Sequence, residues 1–236
     1  MTPATTSPND QPDDQFRGQF TEQGWALTDP VFSPAECDQI VADDADRTYP
    51  ATTPALRTWA TDPRWADLVI GLVGPGVRLR REQLVAKHPH SASTVPWHQD
   101  AAYAPLQPVG FLTCFVALDA MTEANGCLWV LPGSHHGGPR DHVPAGAILR
   151  VDAEIGADAH PVPMTQGSVL AFSSLTFHHS GPNHSDHWRR AWIVQFGGSD
   201  TADHRPDQLV TGGAAAAVAE RSIRIAPRSD LLSPVE

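Results

Sequence analysis

The sequence predicts a mainly β protein with flanking helices, whose core is a double-stranded β-helix of the jelly-roll, cupin-like type. The stronger helical patterns lie before residue 75, and the chain from Val77 onward consists of short apolar runs separated by Gly, Pro, Asn and Asp. Eight such runs follow one another, at residues 77–88, 94–103, 110–119, 127–131, 146–151, 167–172, 175–179 and 189–197. Eight strands after a pair of helices suit a jelly roll with the helices packed outside.

Two helices are predicted before the strands. Ser33-Pro34-Ala35-Glu36 is a capping box with proline at the first helical position, and it predicts a helix to about Asp46. Asp62-Pro63 begins the second, which Gly74 ends. Apolar residues recur there at i, i+3, i+4 and i+7, which is one helical face: Trp65, Leu68, Val69 and Leu72.

The remaining segments are polar. Residues 1–15 cannot bury apolar area, so we expect a disordered tail, and residues 16–236 are expected to form a single domain. Within that domain, 135–144 is expected to be a polar loop. The chain after about Thr201 is expected to begin as a linker, with a short helix at 214–221.

Charge and composition exclude several classes of function. The formal net charge of −11 argues against a nucleic-acid partner and gives no support to binding an anionic membrane. The sequence has no apolar run of about 18 residues, so no membrane span is predicted, and the N-terminus has no apolar signal segment. Cys37, Cys114 and Cys127 are irregularly spaced, and Cys114 and Cys127, which lie in apolar β-like runs, are expected to be reduced core residues. The expected location is cytoplasmic.

His98 and Asp100 are the first candidates for chemistry. They lie two residues apart, so on a β-strand both side chains project from the same face. With a distant histidine they would form a 2-His-1-carboxylate triad, which binds Fe(II) and leaves positions open. A His-x-Asp pair is also common as a plain hydrogen-bonded pair, and periodicity alone does not decide between the two.

Three motifs carry a resemblance to a known family. They are Trp97-His98-Gln99-Asp100, then the run 125–135 (NGCLWVLPGSH), then His178-His179-Ser180-Gly181-Pro182-Asn183 followed by Arg189-Arg190-Ala191. Their order and spacing resemble the phytanoyl-CoA dioxygenase family, a branch of the Fe(II)/2-oxoglutarate-dependent oxygenases. The resemblance covers roughly residues 16–197.

The resemblance implies specific roles. It makes His178 the third iron ligand beside His98 and Asp100, although His179 is an adjacent rival. It also makes Arg189, eleven residues after His178, the cation that binds the far carboxylate of 2-oxoglutarate, with Arg190 as the rival.

Four more residues are candidates for the pocket. The resemblance implies that Gln83 and Phe115 contact 2-oxoglutarate. A buried amide satisfied within the core is the plainer interpretation of Gln83, and aligning Phe115 needs a one-residue gap. Lys87 and Trp97 could line the pocket or be structural.

The implied reaction uses Fe(II), O2 and 2-oxoglutarate, releases succinate and CO2, and most often hydroxylates a C–H bond. The expected partner is a small-molecule substrate, with a natural-product intermediate as the working guess. Because Asp100 keeps the carboxylate that related halogenases lack, halogenation is not expected. Two alternatives stay open: a non-catalytic metal-binding jelly roll, and a cupin-like isomerase or hydrolase.

Overall fold

The computed structural model describes residues 11–45, 54–74, 77–104, 106–107, 110–146, 148–198 and 202–203. Four α-helices are seen in this part of the chain: α1 (Gln11–Gln23), α2 (Pro34–Ala45), α3 (Pro54–Ala60) and α4 (Arg64–Val73). Two short 3-10 helices occupy Asp100–Tyr103 and Ser134–Gly137. The segment predicted as a helix at 214–221 lies outside the described residues.

Helix α2 begins where its predicted capping box places it. At the start of α2, the backbone N–H of Ser33 donates to Glu36 Oε2 (2.8 Å), and Ser33 Oγ accepts from the Glu36 N–H (3.3 Å). Helices α1 and α3 were not predicted. Helix α1 begins at Gln11, within the segment expected to be a disordered tail.

The strands of the described chain follow the predicted runs and add several short ones. They are β1 (Trp25–Leu27), β2 (Arg78–Lys87), β3 (Val95–His98), β4 (Leu106–Gln107), β5 (Leu112–Ala117), β6 (Leu128–Val130), β7 (His142–Ala145), β8 (Ile148–Val151), β9 (His160–Val162), β10 (Val169–Ser173), β11 (His178–Ser180), β12 (Arg189–Gly197) and β13 (Ala202–Asp203). The segment 135–144, predicted as a loop, contributes the first strand of the β7–β8 hairpin.

Two antiparallel sheets form the body of the fold. The larger has the strand order β1-β10-β5-β12-β2, and the smaller has the order β3-β11-β6-β9. Buried side chains from both sheets meet in one cluster, which includes Phe115 and Leu170 from the larger sheet and Val130 and Val162 from the smaller. The predicted jelly roll is therefore confirmed.

The opposite face of the larger sheet is covered by the helices. Trp65 of α4 packs edge-on against Trp192 of β12, with ring centroids 6.1 Å apart, and Phe32 packs against both. Because side chains alternate along β12, Trp192 and Val194 face the helices while Arg189 and Gln195 face the space between the sheets. No helix of the described segments is long and apolar enough to cross a membrane.

Candidate active site

His98, Asp100 and His178 come together between the two sheets. His98 ends β3 and is paired in register with His178, which begins β11. Nε2 of each histidine lies 3.6 Å from Oδ1 of Asp100. The potential ligand atoms of the three residues all lie within 4.8 Å of one another, and the three form the only such cluster found in the described chain.

Asp100 reaches this cluster through a turn and not through the strand. Strand β3 ends at His98, and Asp100 is the first residue of a 3-10 helix, so the expectation that both lie on one face of a strand is wrong. The intervening Gln99 is almost fully buried and fixes the turn. Its amide donates to the carbonyl oxygens of Gly138 (3.0 Å) and Leu175 (2.7 Å).

Hydrogen bonds orient both imidazoles. Nδ1 of His98 lies 2.9 Å from the carbonyl oxygen of Pro96, and Nδ1 of His178 lies 2.9 Å from that of Thr176. A carbonyl can only accept, so each Nδ1 carries the proton and each Nε2 presents a lone pair to the cluster. Burial, and to a smaller extent the neighbouring His98, lowers the pKa of His178 to about 4, so this imidazole is neutral at pH 7.

The Asp100 carboxylate is stabilised by neighbours that sequence reasoning did not single out. Thr113 donates its hydroxyl to Oδ2 (2.6 Å), and the Gln195 amide approaches the same oxygen (3.4 Å). Burial alone raises the pKa of Asp100, but His178, His98 and the Thr113 hydroxyl outweigh it and hold the pKa below its usual range. In the sequence, Thr113 is a polar residue on the otherwise apolar face of a predicted strand, and this feature could have identified it as a site residue.

His179 points away from the cluster. Its ring lies between Trp97 and Trp129 on the other face of the smaller sheet, with centroid distances of 4.3 and 5.9 Å. The adjacent-residue alternative for the third ligand therefore has no geometric support, and Trp97 stacks on His179 on that outer face.

Arg189 is the first residue of β12, and its side chain is buried on the inward face of that strand. Its Nε and Nη2 atoms donate to the carbonyl oxygen of Gly126 (3.0 and 2.8 Å), and its guanidinium lies 5.7 Å from the centre of the Phe115 ring. No acidic side chain of the described residues pairs with it, and burial lowers its pKa to about 10. Arg190 faces the opposite way and pairs with Asp119 (2.6 Å).

Gly126 brings two of the sequence motifs into contact. It has a φ of +80°, which favours glycine, and a Cβ atom there would lie 2.7 Å from the carbonyl oxygen of Gly181. This close approach sets the Gly126 carbonyl beneath the Arg189 guanidinium.

Gln83 and Lys87 lie on the inward face of β2. Gln83 Oε1 accepts a hydrogen bond from Arg81, and its amide nitrogen has no partner within the described segments. Lys87 is 1% exposed and donates to the carbonyl oxygens of Ser93, Ser180 and Gly181. Lys87 thus joins the end of β2 to segments next to β3 and β11.

Sequence comparisons identify relatives of this chain. The profile of the phytanoyl-CoA dioxygenase family matches residues 42–191. "Phytanoyl-CoA dioxygenase domain-containing protein 1" of Mus musculus is 32% identical over 191 residues, covering 75% of this chain and 62% of the relative. "Methylphosphonate hydroxylase" of Gimesia maris is 33% identical over 153 residues, covering 64% of this chain and 57% of the relative. A "probable alpha-ketoglutarate-dependent hypophosphite dioxygenase" of Stutzerimonas stutzeri is 35% identical over 156 residues, covering 62% of this chain and 54% of the relative. The chain thus spans 54 to 62% of the length of these relatives.

Solved structures share the fold. EvdO2 of Micromonospora carbonacea, crystallised with 2-oxoglutarate, superposes with a TM-score of 0.68 at 21% identity, covering 87% of this chain and 96% of that one. The epimerase SnoN, in complex with Fe3+ and alpha-ketoglutarate, gives a TM-score of 0.69 at 20% identity, covering 81% and 86%. The family profile covers well over half of the sequence, including all three residues of the buried cluster. This chain belongs to the phytanoyl-CoA dioxygenase family.

Proposed function

We propose that this protein is an Fe(II)/2-oxoglutarate-dependent oxygenase that oxidises a C–H bond of a small molecule, with release of succinate and CO2. The observation that carries the proposal is the buried cluster of His98, Asp100 and His178. Bound iron together with 2-oxoglutarate would supply the activation of O2.

The donor set fits Fe(II). Two imidazole nitrogens and one carboxylate oxygen on one side of a metal are typical of non-haem iron oxygenases and leave its other positions open. The hydrogen bonds to Pro96 and Thr176 hold both rings with Nε2 toward the metal position. Since His178 is neutral and Asp100 is ionised at pH 7, neither has to lose a proton before it binds a metal.

The far carboxylate of 2-oxoglutarate would be bound by Arg189. A guanidinium has five N–H donors, and two are used on Gly126, which leaves three for a ligand. A buried cation without an acidic partner is costly, and a carboxylate ligand would remove that cost. The Gln83 amide nitrogen and the Phe115 ring lie on the same inward face and would contact the chain of the co-substrate.

The substrate would be a small molecule, and a natural-product intermediate remains our working proposal. Two relatives are named for small phosphorus compounds, hypophosphite and methylphosphonate, which supports a compact substrate. With Asp100 present, the carboxylate fills the position that a halide would need at the metal, so oxidation and not chlorination is expected.

Turnover without substrate tests the proposal. The protein, supplied with Fe(II), 2-oxoglutarate and air, should form succinate, and omission of Fe(II) should abolish it. Candidate metabolites are then screened by mass for a gain of one oxygen or a loss of two hydrogens, with chloride present throughout. A chlorinated product would contradict the assigned reaction, and no succinate with any metal or candidate would favour a non-catalytic metal-binding protein.

A further inference from the structure

Arg81 lies on the inward face of β2, next to a residue of β12 that contacts the proposed iron centre. Its Cα is paired with that of Gln195, which is paired in turn with Thr113. Both Thr113 and Gln195 contact Oδ2 of Asp100. The Arg81 side chain also donates to Gln83, two residues along the same face. Arg81 therefore stands one strand away from a residue that contacts an expected iron ligand.

Among the residues that the structure describes, the Arg81 guanidinium has no acidic partner. Within the described residues its one side-chain hydrogen bond is to the neutral Gln83 amide oxygen. By contrast, Arg64 and Arg190 are each paired with carboxylates. The chain carries 27 acidic residues against 16 basic ones, yet no acidic side chain of the described segments neutralises this inward-facing arginine.

Arg81 and Arg189 lie toward opposite ends of the space between the sheets. Gln195, the register partner of Arg81, is six residues from Arg189 along β12, which is about 20 Å of strand. Arg189 is fully buried, whereas Arg81 is only partly buried, at the end where Asp100 lies. In the proposed function Arg189 binds the co-substrate, so a second molecule beside the metal would meet Arg81.

We infer that the substrate carries an oxyacid group, a carboxylate or a phosphonate-type anion, which Arg81 binds while Gln83 orients its guanidinium. The inference rests on the proposed function and names the class of its substrate. The guanidinium fork matches two oxygens of such a group, and hydrogen bonds between charged groups are stronger than neutral ones. Binding the acid at Arg81 would fix the rest of the substrate next to the metal.

Matched pairs of small molecules test this inference. The protein with Fe(II) and 2-oxoglutarate is titrated without O2, and the visible charge-transfer band is followed as each probe is added at millimolar concentration. The probes are methylphosphonate, butyrate and phenylacetate, each compared with its neutral partner: dimethyl methylphosphonate, butyramide and phenylacetamide. The variants are Arg81→Gln and Arg81→Lys, with Arg57→Gln, an exposed arginine of α3, as the matched control.

At least one acid should shift the band while its neutral partner does not. Arg81→Gln should weaken that response by about 10- to 100-fold, the loss expected for hydrogen bonds to a charged group. Arg81→Lys should recover part of it, and Arg57→Gln should respond like the unaltered protein.

Three results would overturn the inference. They are equal responses to acids and neutral partners, no response to any acid, and a loss in Arg81→Gln that is as large for 2-oxoglutarate as for the acid. The last would make Arg81 a co-substrate residue. If the band never forms with Fe(II) and 2-oxoglutarate, the proposed function itself fails, so the two failures are distinguishable.

Discussion

At the scale of single residues, backbone carbonyls set the orientation of three side chains of the candidate site. Pro96, Thr176 and Gly126 each supply the carbonyl oxygen that orients His98, His178 and Arg189, respectively. Such hydrogen bonds fix the tautomer of an imidazole and the plane of a guanidinium before a ligand arrives. The site is therefore preorganised, which lowers the cost of ordering it on binding.

Arg189 gives the sharpest prediction at this scale. Arg189→Ala should raise the 2-oxoglutarate concentration needed for half-maximal succinate formation by more than a hundredfold, because losing one partner of a buried ion pair costs roughly 3–5 kcal/mol. Iron binding, measured separately by titration, should stay close to that of the unaltered protein. Arg190→Ala is the comparison, because Arg190 is paired with Asp119 on the other face of β12. An unchanged 2-oxoglutarate requirement in Arg189→Ala, with a raised one in Arg190→Ala, would reverse the assignment.

At the scale of elements, β2 connects the two sheets through Lys87. Three backbone carbonyls from the loop before β3 and the end of β11 accept from its ammonium. Burial, and to a smaller extent repulsion from the Arg189 charge, nevertheless lowers the pKa of Lys87 to about 7. The unfolded chain, where a lysine titrates near its model value of 10.5, therefore holds the proton over a range in which the folded chain releases it.

This depressed pKa predicts a pH dependence of stability. Between pH 7 and 10.5 the unfolded state binds more protons at Lys87 than the folded state, so the free energy of unfolding should rise with pH. From pH 7 to 8.5 the gain should be about 2 kcal/mol for this group. Urea unfolding of the unaltered protein and of Lys87→Met, at both pH values, measures the difference between the two slopes. Parallel slopes would mean that the Lys87 ammonium stays charged in the folded protein.

Elements with a long run of strand-forming residues could be predicted from the sequence, and those fixed by distant contacts could not. The run predicted at 189–197 is β12, residue for residue, because its aromatic and β-branched residues favour a strand. The run predicted at 94–103 stops at His98, because Gln99 is held by carbonyls from residues 138 and 175. Nothing local in the sequence signals those contacts. Helix α3 was missed because its buried residues, Leu56 and Ala60, make up a single helical repeat.

The residues of the candidate site also fall into two groups, those that a sequence motif identifies and those that distant contacts place. The resemblance named the three clustered residues and Arg189, because motifs record which side chains do chemistry. It did not name Thr113, Gln195 or Arg81, because their place beside Asp100 depends on the register of β5, β12 and β2. Strand register between segments about eighty residues apart is a property of the folded sheet.

At the scale of the whole molecule, the larger sheet separates two environments. Its outer face packs on the helices through large aromatic side chains, and contributes stability. Its inner face carries the polar residues of the site among apolar neighbours such as Phe115, Phe172 and Ile193. This division lets one sheet support both a packed core and the proposed site for a metal and its co-substrate.

Anaerobic titration with Fe(II) and 2-oxoglutarate tests the central claim most directly, namely that His98, Asp100 and His178 hold one iron per chain. We predict a weak charge-transfer band in the visible region that saturates at one Fe(II) per chain. The band should be lost in His178→Ala with the fold retained by circular dichroism, and kept in His179→Ala, whose ring stacks on Trp97 outside the cluster. A band that persists in His178→Ala and disappears in His179→Ala would contradict the account.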